Sequence, residues 1–239
     1  MGAKMRRVWN VVKWYVKSGL FHLVVAILLV ITALGFYNTL EAYRDAMKYT
    51  MVYTVFELTL FPLYVLSTGL HLVRSSSVII FEVNMFKDWR SIFLGKLASF
   101  VLSWIPLLLI TCLTAYITSE YRLIAPLVVR FIVYTSLFAS AILLKSQRAA
   151  LLYFITMFII MPLSAPIVLN GAVQAHGKID ATLSLFFYFT SPISMINYEN
   201  YADIPMLKGF IATIGISALI MVVSMEIFRK LEYALESAH

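Results

Sequence analysis

Long apolar stretches alternate with short, charge-bearing connectors from one end of this chain to the other. Each stretch is close to the ~20 residues that a helix needs to cross the hydrocarbon core of a bilayer. Because backbone groups in lipid must be paired within their own segment, each stretch is predicted to be a helix. The pattern therefore predicts an all-α polytopic membrane protein with six transmembrane helices: Gly19–Tyr37, Thr50–Val73, Leu97–Thr118, Leu123–Leu144, Ala149–Leu169 and Met206–Phe228.

Composition supports the membrane class. Of the 239 residues, 62% are hydrophobic, and the mean hydropathy of +0.88 is too high for a soluble domain of this length. No connector is long enough to hold a separate soluble domain. Residues 1–239 are therefore expected to form a single transmembrane domain.

The formal net charge of +7 is explained by position rather than by nucleic-acid binding. With six spans and the N-terminus inside, most Lys and Arg residues fall in cytoplasmic segments, as the positive-inside rule requires. We therefore expect a multi-pass protein of the cell membrane with both termini in the cytoplasm and no nucleic-acid partner. The outer segments carry only Arg44, Lys48, Arg122, Lys178 and Lys208.

The first eighteen residues have the pattern of an amphipathic helix. Arg6, Asn10, Lys13 and Lys17 follow one helical face, while Met5, Val8, Trp9, Val12 and Val16 fall largely on the other. A basic, Trp-bearing helix of this kind lies in the membrane interface with its apolar side among the lipids. The alternative is a disordered basic anchor that only sets topology.

Two connectors are long enough to carry structure of their own. In the outer connector, residues 170–205, the apolar piece Ala181–Phe189 is too short to span and is followed by Pro192. It is predicted to be a re-entrant or interfacial segment. The inner connector, residues 74–96, is predicted to hold a short helix with one aromatic face, which either docks into a groove on a partner or lies on lipid headgroups. That face comprises Phe81, Met85, Trp89 and Ile92, with Phe86 and Phe93 beside it; Glu82, Lys87, Asp88 and Arg90 occupy the other sides.

Two ionisable residues, Glu57 and Arg130, lie within predicted spans. Both fall about 10–12 Å below the outer boundary at the rise of an α-helix. A charge at mid-span costs at least ~2.5–3.5 kcal/mol, so such residues usually pair or face a cavity. We expect Glu57 and Arg130 to approach one another or to share a water-filled outer cavity, either as a static ion pair or as a substrate contact. Near the inner end of the last span, Glu226 is expected to pair with Lys230.

An arginine follows the second span (Arg74), the segment RSIFLGK (Arg90–Lys96) leads into the third, and TSPISMIN (Thr190–Asn197) precedes the last. In these segments and in its overall layout, the chain resembles ABC-2 type transporter permeases. The N-terminal interfacial helix and the six spans fit the same layout. The chain departs from the family pattern after Arg74, where Ser-Ser-Ser replaces the glutamate and glycine often found there.

The resemblance implies a permease subunit of an ABC exporter that pairs with a second permease subunit, identical or related, and with a separate ATPase subunit. The N-terminal helix would be the connecting helix, and the outer half-helices would lie near Ala181–Asn197. The ATPase-coupling helix would span about Glu82–Ile92, with Glu82, Met85, Phe86, Lys87, Trp89 and Arg90 as its coupling residues.

Chemistry-bearing motifs do not stand out in the sequence. Gly95-Lys96 is followed by Leu97, so it is not the end of a phosphate-binding G-x-x-x-x-G-K-[ST] loop. ATP and Mg would then be bound by the partner subunit, and this chain is expected to be a transport subunit rather than an enzyme, with no cofactor, metal or catalytic residue. The rival hypotheses are a membrane-embedded lipid-modifying enzyme and a non-transporting membrane anchor.

Overall fold

The computed structural model describes residues 3–17, 27, 60–73, 76–86, 88–105, 108–109, 112, 116, 124–144, 146–191, 195, 203–204 and 206–236. This part of the chain is helical and contains no β-strand. The helices are α1 (Ala3–Val16), α2 (Leu60–Leu72), α3 (Ser76–Phe86), α4 (Trp89–Ser103), α5 (Ile124–Ala141), α6 (Gln147–Ile155), α7 (Met161–His176), α8 (Ala181–Thr190) and α9 (Met206–Glu236).

Within the described residues, two continuous helices are long and apolar enough to cross a membrane: Gln147–His176 and Leu207–Lys230. Their outer surfaces are apolar, since Ile167 is 73% exposed and Leu207 is 70% exposed. A soluble protein rarely exposes apolar surface on this scale, whereas lipid accepts it. The first predicted span lies outside the described residues except for Ile27. The first residues of the third predicted span, up to Ser103, belong to a helix that begins well before Leu97, at Trp89.

The first of these long helices changes geometry in its middle. Between α6 and α7, Thr156–Ile160 form a π-helical turn, in which the N–H of Met161 donates to the carbonyl of Thr156. The wide turn directly precedes Pro162, which has no N–H to donate and whose ring crowds the preceding carbonyls. The long helix therefore contains a wide turn next to one proline, and a second proline, Pro166, lies inside α7.

Small and aromatic side chains build the core. Helix α9 packs closely along α5, and the hydroxyl residues Ser136, Thr213 and Ser217 are fully buried there. Small residues allow such close approach where water drives no association between helices. Aromatic rings join α4, α5 and α6, with Phe100 stacked on Phe138 at 4.2 Å between centroids.

Two local predictions can be compared with the structure. The apolar piece Ala181–Phe189 forms the short helix α8, whose first turn is capped by Asp180, and its re-entrant or interfacial placement stays a prediction. The predicted Glu226–Lys230 pair is wrong: Glu226 lies 2.9 Å from Arg229 instead. Side chains three and four residues apart both lie close together on a helix, and here the Arg229 guanidinium, three residues after Glu226, makes the contact.

Candidate functional site

Helices α1 and α3 and the first half of α4 meet at one place, which we call the three-helix junction. Asp88 separates α3 from α4: its carboxylate accepts from the backbone N–H of Arg90 at 3.2 Å and from Ser91 Oγ at 2.6 Å. An aspartate in this position caps a new helix rather than continuing the old one. The single short helix expected over Glu82–Ile92 is therefore wrong, because the segment divides between two helices.

A buried ion pair holds the junction together. Lys96 Nζ on α4 lies 2.8 Å from Glu82 Oε2 on α3, and the two side chains are 1% and 0% exposed. The phenol of Tyr15 on α1 donates a hydrogen bond to Glu82 Oε1. The ammonium of Lys96 also lies 5.6 Å from the centroid of the Tyr15 ring. One carboxylate thus joins all three helices.

Because the Glu82–Lys96 pair is buried, it is stable only if its geometry compensates for the loss of hydration. Removing a carboxylate and an ammonium from water costs several kcal/mol per ion, and their attraction offsets this only when the geometry is good and further hydrogen bonds are made. Tyr15 supplies such a hydrogen bond. A pair of this kind fixes the relative position of the helices, since any displacement leaves a buried charge unpaired.

Close backbone packing adds to this connection between α1 and α4. At Gly95, next to Lys96, an added Cβ would lie 2.4 Å from Cγ1 of Val11 and 2.6 Å from its Cβ. Only glycine allows α1 to lie this close to α4. Next to Val11 on the α1 surface, Trp14 makes an edge contact with Phe86 of α3, with the ring centroids 6.2 Å apart.

The helix α1 has three longitudinal strips. Val11, Val12 and Tyr15 are buried against the protein, while Met5 and Trp9 are 61% and 46% exposed. The basic residues Arg6, Lys13 and Lys17 form the third strip and are exposed. The predicted amphipathic helix is present, but Val12, assigned from the sequence to the lipid-facing side, faces the protein because α4 packs there.

An open groove of about 510 Å³ separates α1 from the end of α3. Helix α3 forms its apolar wall through Met85 and Phe86. Helix α1 forms the opposite wall with Arg7, Asn10, Lys13, Trp14 and Lys17.

The coupling residues implied by the resemblance have different environments. Met85 is 52% exposed, as a docking residue requires, whereas Glu82 is buried in the ion pair. Arg90 is exposed at the start of α4 beside Trp89, its guanidinium carbon 5.1 Å from the Trp89 ring centroid. Phe86 is half-buried, Ile92 is fully buried, and Lys87 lies outside the described residues.

Arg130 lies on α5, which is not one of the three helices of the junction, and is 1% exposed. Its Nη2 donates to the hydroxyl of Tyr134 at 3.0 Å, and its guanidinium carbon lies 4.8 Å from that ring's centroid. Glu57 lies outside the described residues, so the Glu57–Arg130 pair stays a prediction.

Sequence reasoning missed Tyr15 and Lys96. Lys96 was counted among the cytoplasmic charges, and Tyr15 was given no role. One signal was present: Lys96 directly precedes a long apolar run and follows a glycine, a position where a charge needs a partner.

Comparisons with protein-family models, with curated proteins and with solved structures find no match to this chain. Among the described residues, no three His, Cys, Asp or Glu side chains are grouped so that they could hold a metal ion. The functional argument therefore rests on the three-helix junction and on the layout of the sequence.

Proposed function

We propose that this chain is the transmembrane permease subunit of an ATP-binding cassette transporter, an exporter that moves a substrate across the cell membrane. In this proposal the chain has six spans, both termini lie in the cytoplasm, and α1 lies in the inner membrane interface. A separate ATPase subunit binds ATP and Mg, and a second permease subunit, identical or related, completes the pathway.

The observation that carries the proposal is the buried Glu82–Lys96 pair. Force applied by an ATPase to the exposed residues Met85 and Arg90, and to the half-buried Trp89 between them, would act at the break between α3 and α4. Because Glu82 joins α3 to both α4 and α1, the junction would move as one rigid unit. Helix α4 continues from the junction into the third apolar run, so that motion would bias the spans between two conformations.

Co-purification of ATPase activity tests this proposal. The tagged chain is extracted from its native membrane in mild detergent, and ATP hydrolysis by the purified complex is measured with and without vanadate. We expect vanadate-sensitive hydrolysis that is lost in Trp89→Glu and Arg90→Glu, because these place a negative charge on the proposed docking surface. Lys208→Glu, the same charge change at an exposed position on the predicted outer side, is the matched control.

Three results would contradict the proposal. A complex that hydrolyses no ATP, but converts a lipid, would identify a membrane-embedded enzyme. A stable partner without ATPase activity would identify an anchor. Full ATPase activity in both docking variants would show that the ATPase binds elsewhere.

A further inference from the structure

The groove between α1 and α3 separates two kinds of side chain. On its α1 wall, Arg7, Lys13 and Lys17 are exposed cations, and the described residues that line the groove include no acid. On its α3 wall, Met85 is 52% exposed and Phe86 is half-buried. The occupant that satisfies both walls carries an anionic group and an apolar part.

The nearest acidic residues of α3 and α4 do not neutralise these cations. Glu82 is fully buried and paired with Lys96, and the carboxylate of Asp88 caps the first turn of α4. Within the described parts of α3 and α4, no carboxylate pairs with the cations of the α1 wall, and an anionic ligand suits this wall.

The position of α1 indicates where that ligand comes from. The exposed Met5 and Trp9 lie on the strip next to the basic one, and Lys13 Nζ lies 6.0 Å from the centroid of the Trp9 ring. Trp beside Lys and Arg on an amphipathic helix is typical of the level of the lipid headgroups. The groove cations are therefore close to lipid phosphates.

We propose that this groove is a binding site for an anionic phospholipid, with the headgroup phosphate at Arg7, Lys13 and Lys17 and the start of an acyl chain against Met85 and Phe86. Basic pockets beside transmembrane helices commonly bind such headgroups. The groove volume of about 510 Å³ is far larger than a phosphate ion needs. It lies in the range of pockets that bind small organic ligands, which is large enough for a lipid headgroup and the start of an acyl chain. The site shares Met85 with the proposed ATPase-docking surface and rests on the interfacial position of α1 in the proposed function, but lipid binding to it can be measured without an ATPase.

Lipid titration of the purified full chain, without an ATPase, tests the proposal. Binding of short-chain phosphatidylglycerol, phosphatidylcholine and glycerol phosphate is measured by native mass spectrometry. We expect saturable binding of phosphatidylglycerol alone. Arg7→Gln should weaken it about fivefold, whereas Arg6→Gln, a neighbouring exposed arginine outside the groove, should not. Lys13→Gln provides a second test of the same wall.

The apolar wall has its own matched pair. Met85→Glu should weaken phosphatidylglycerol binding, whereas Phe81→Glu should not, because Phe81 is similarly exposed on α3 but does not line the groove. Thermal unfolding without lipid checks that each variant is folded.

Four outcomes would overturn the proposal. Equal binding of phosphatidylcholine would show that the phosphate charge is not recognised. Glycerol phosphate binding that is unaffected by Met85→Glu would identify a free-anion site. Equal effects of Arg6→Gln and Arg7→Gln would indicate diffuse surface charge. Groove variants that keep lipid binding, yet lose a protein partner from the native complex, would identify the groove as the site of an acidic protein segment.

Discussion

Lys96 Nζ lies 2.8 Å from Glu82 Oε2, in a position that solvent does not reach. This contact connects the helix that ends at Phe86 to the one that begins at Trp89, across a break capped by Asp88. Without it, a break of this kind is a natural hinge. The ion pair turns two consecutive helices into one mechanical unit, to which Tyr15 adds α1.

Replacing one partner of this pair should be far more harmful than replacing both. Glu82→Leu leaves a buried ammonium and Lys96→Met a buried carboxylate, and each is expected to lower the free energy of unfolding by about 3–5 kcal/mol. The double variant should recover most of the loss, because an apolar pair of similar volume needs no compensating charge. Unfolding in mixed detergent–SDS micelles measures all three.

One result of this double-mutant cycle would contradict the predicted coupling between Glu82 and Lys96. If the two single losses simply add in the double variant, then Glu82 and Lys96 are not coupled in the folded protein. The matched surface control is Glu226→Leu with Arg229→Met, an ion pair of similar length whose side chains are 43% and 39% exposed. That pair should contribute less than about 1 kcal/mol.

The close approach of α1 to α4 at Gly95 leads to a second prediction. Gly95→Ala puts a methyl group within 2.6 Å of Val11 Cβ, which cannot rotate away, so α1 must shift. We expect a loss of about 1–3 kcal/mol, as for other overpacked sites. Faster proteolytic cleavage of α1 should accompany it.

Gly215→Ala is the control for this change. Gly215 also lies within a helix, but an added Cβ there would meet no atom within 4 Å. Its replacement should be neutral or stabilise by up to about 1 kcal/mol, since alanine favours the helix. Equal behaviour of the two variants would mean that α1 does not pack against Gly95.

The apolar pattern of the sequence predicts correctly those helices that are apolar along most of their length. The helices Gln147–His176 and Met206–Glu236 follow from long apolar runs, the first of which continues through a π-helical turn and two prolines. The start of α4 is different. The sequence does contain an indication of this helix start, because Asp88 is a favourable N-cap residue. The helical spacing of the aromatic residues continues through Trp89, however, and this spacing predicts one helix rather than two.

The three-helix junction could not be read from the sequence for a different reason. Glu82, Lys96 and Tyr15 lie on three separate helices, so their contact depends on how those helices pack. Lys96 also satisfies the positive-inside rule, and a residue that one pattern already explains prompts no search for a partner. The role of Gly95 depends on Val11, which is equally distant in the chain.

Arg130 gives a third prediction. Arg130→Met removes the hydrogen bond to Tyr134 and should destabilise the protein, because the sequence predicts that Glu57 then remains as an unpaired intramembrane carboxylate. Glu57→Gln in the same chain should restore most of the lost stability. If the double variant is as unstable as Arg130→Met alone, the predicted pair does not exist. Normal vanadate-sensitive ATPase stimulation in the double variant would exclude a substrate role for both residues.

Labelling of single cysteines tests the predicted topology. The chain has one cysteine, Cys112, so a Cys112→Ala background accepts new cysteines at chosen positions. Arg90→Cys, exposed at the start of α4, should react with a membrane-impermeant maleimide only after the cells are opened, because the inner connector is predicted to be cytoplasmic. Lys178→Cys, which is 70% exposed in the predicted outer connector, should react in intact cells. Labelling of Arg90→Cys from outside would place the three-helix junction on the wrong side of the membrane for any cytoplasmic ATPase, and the transport proposal would be wrong with it.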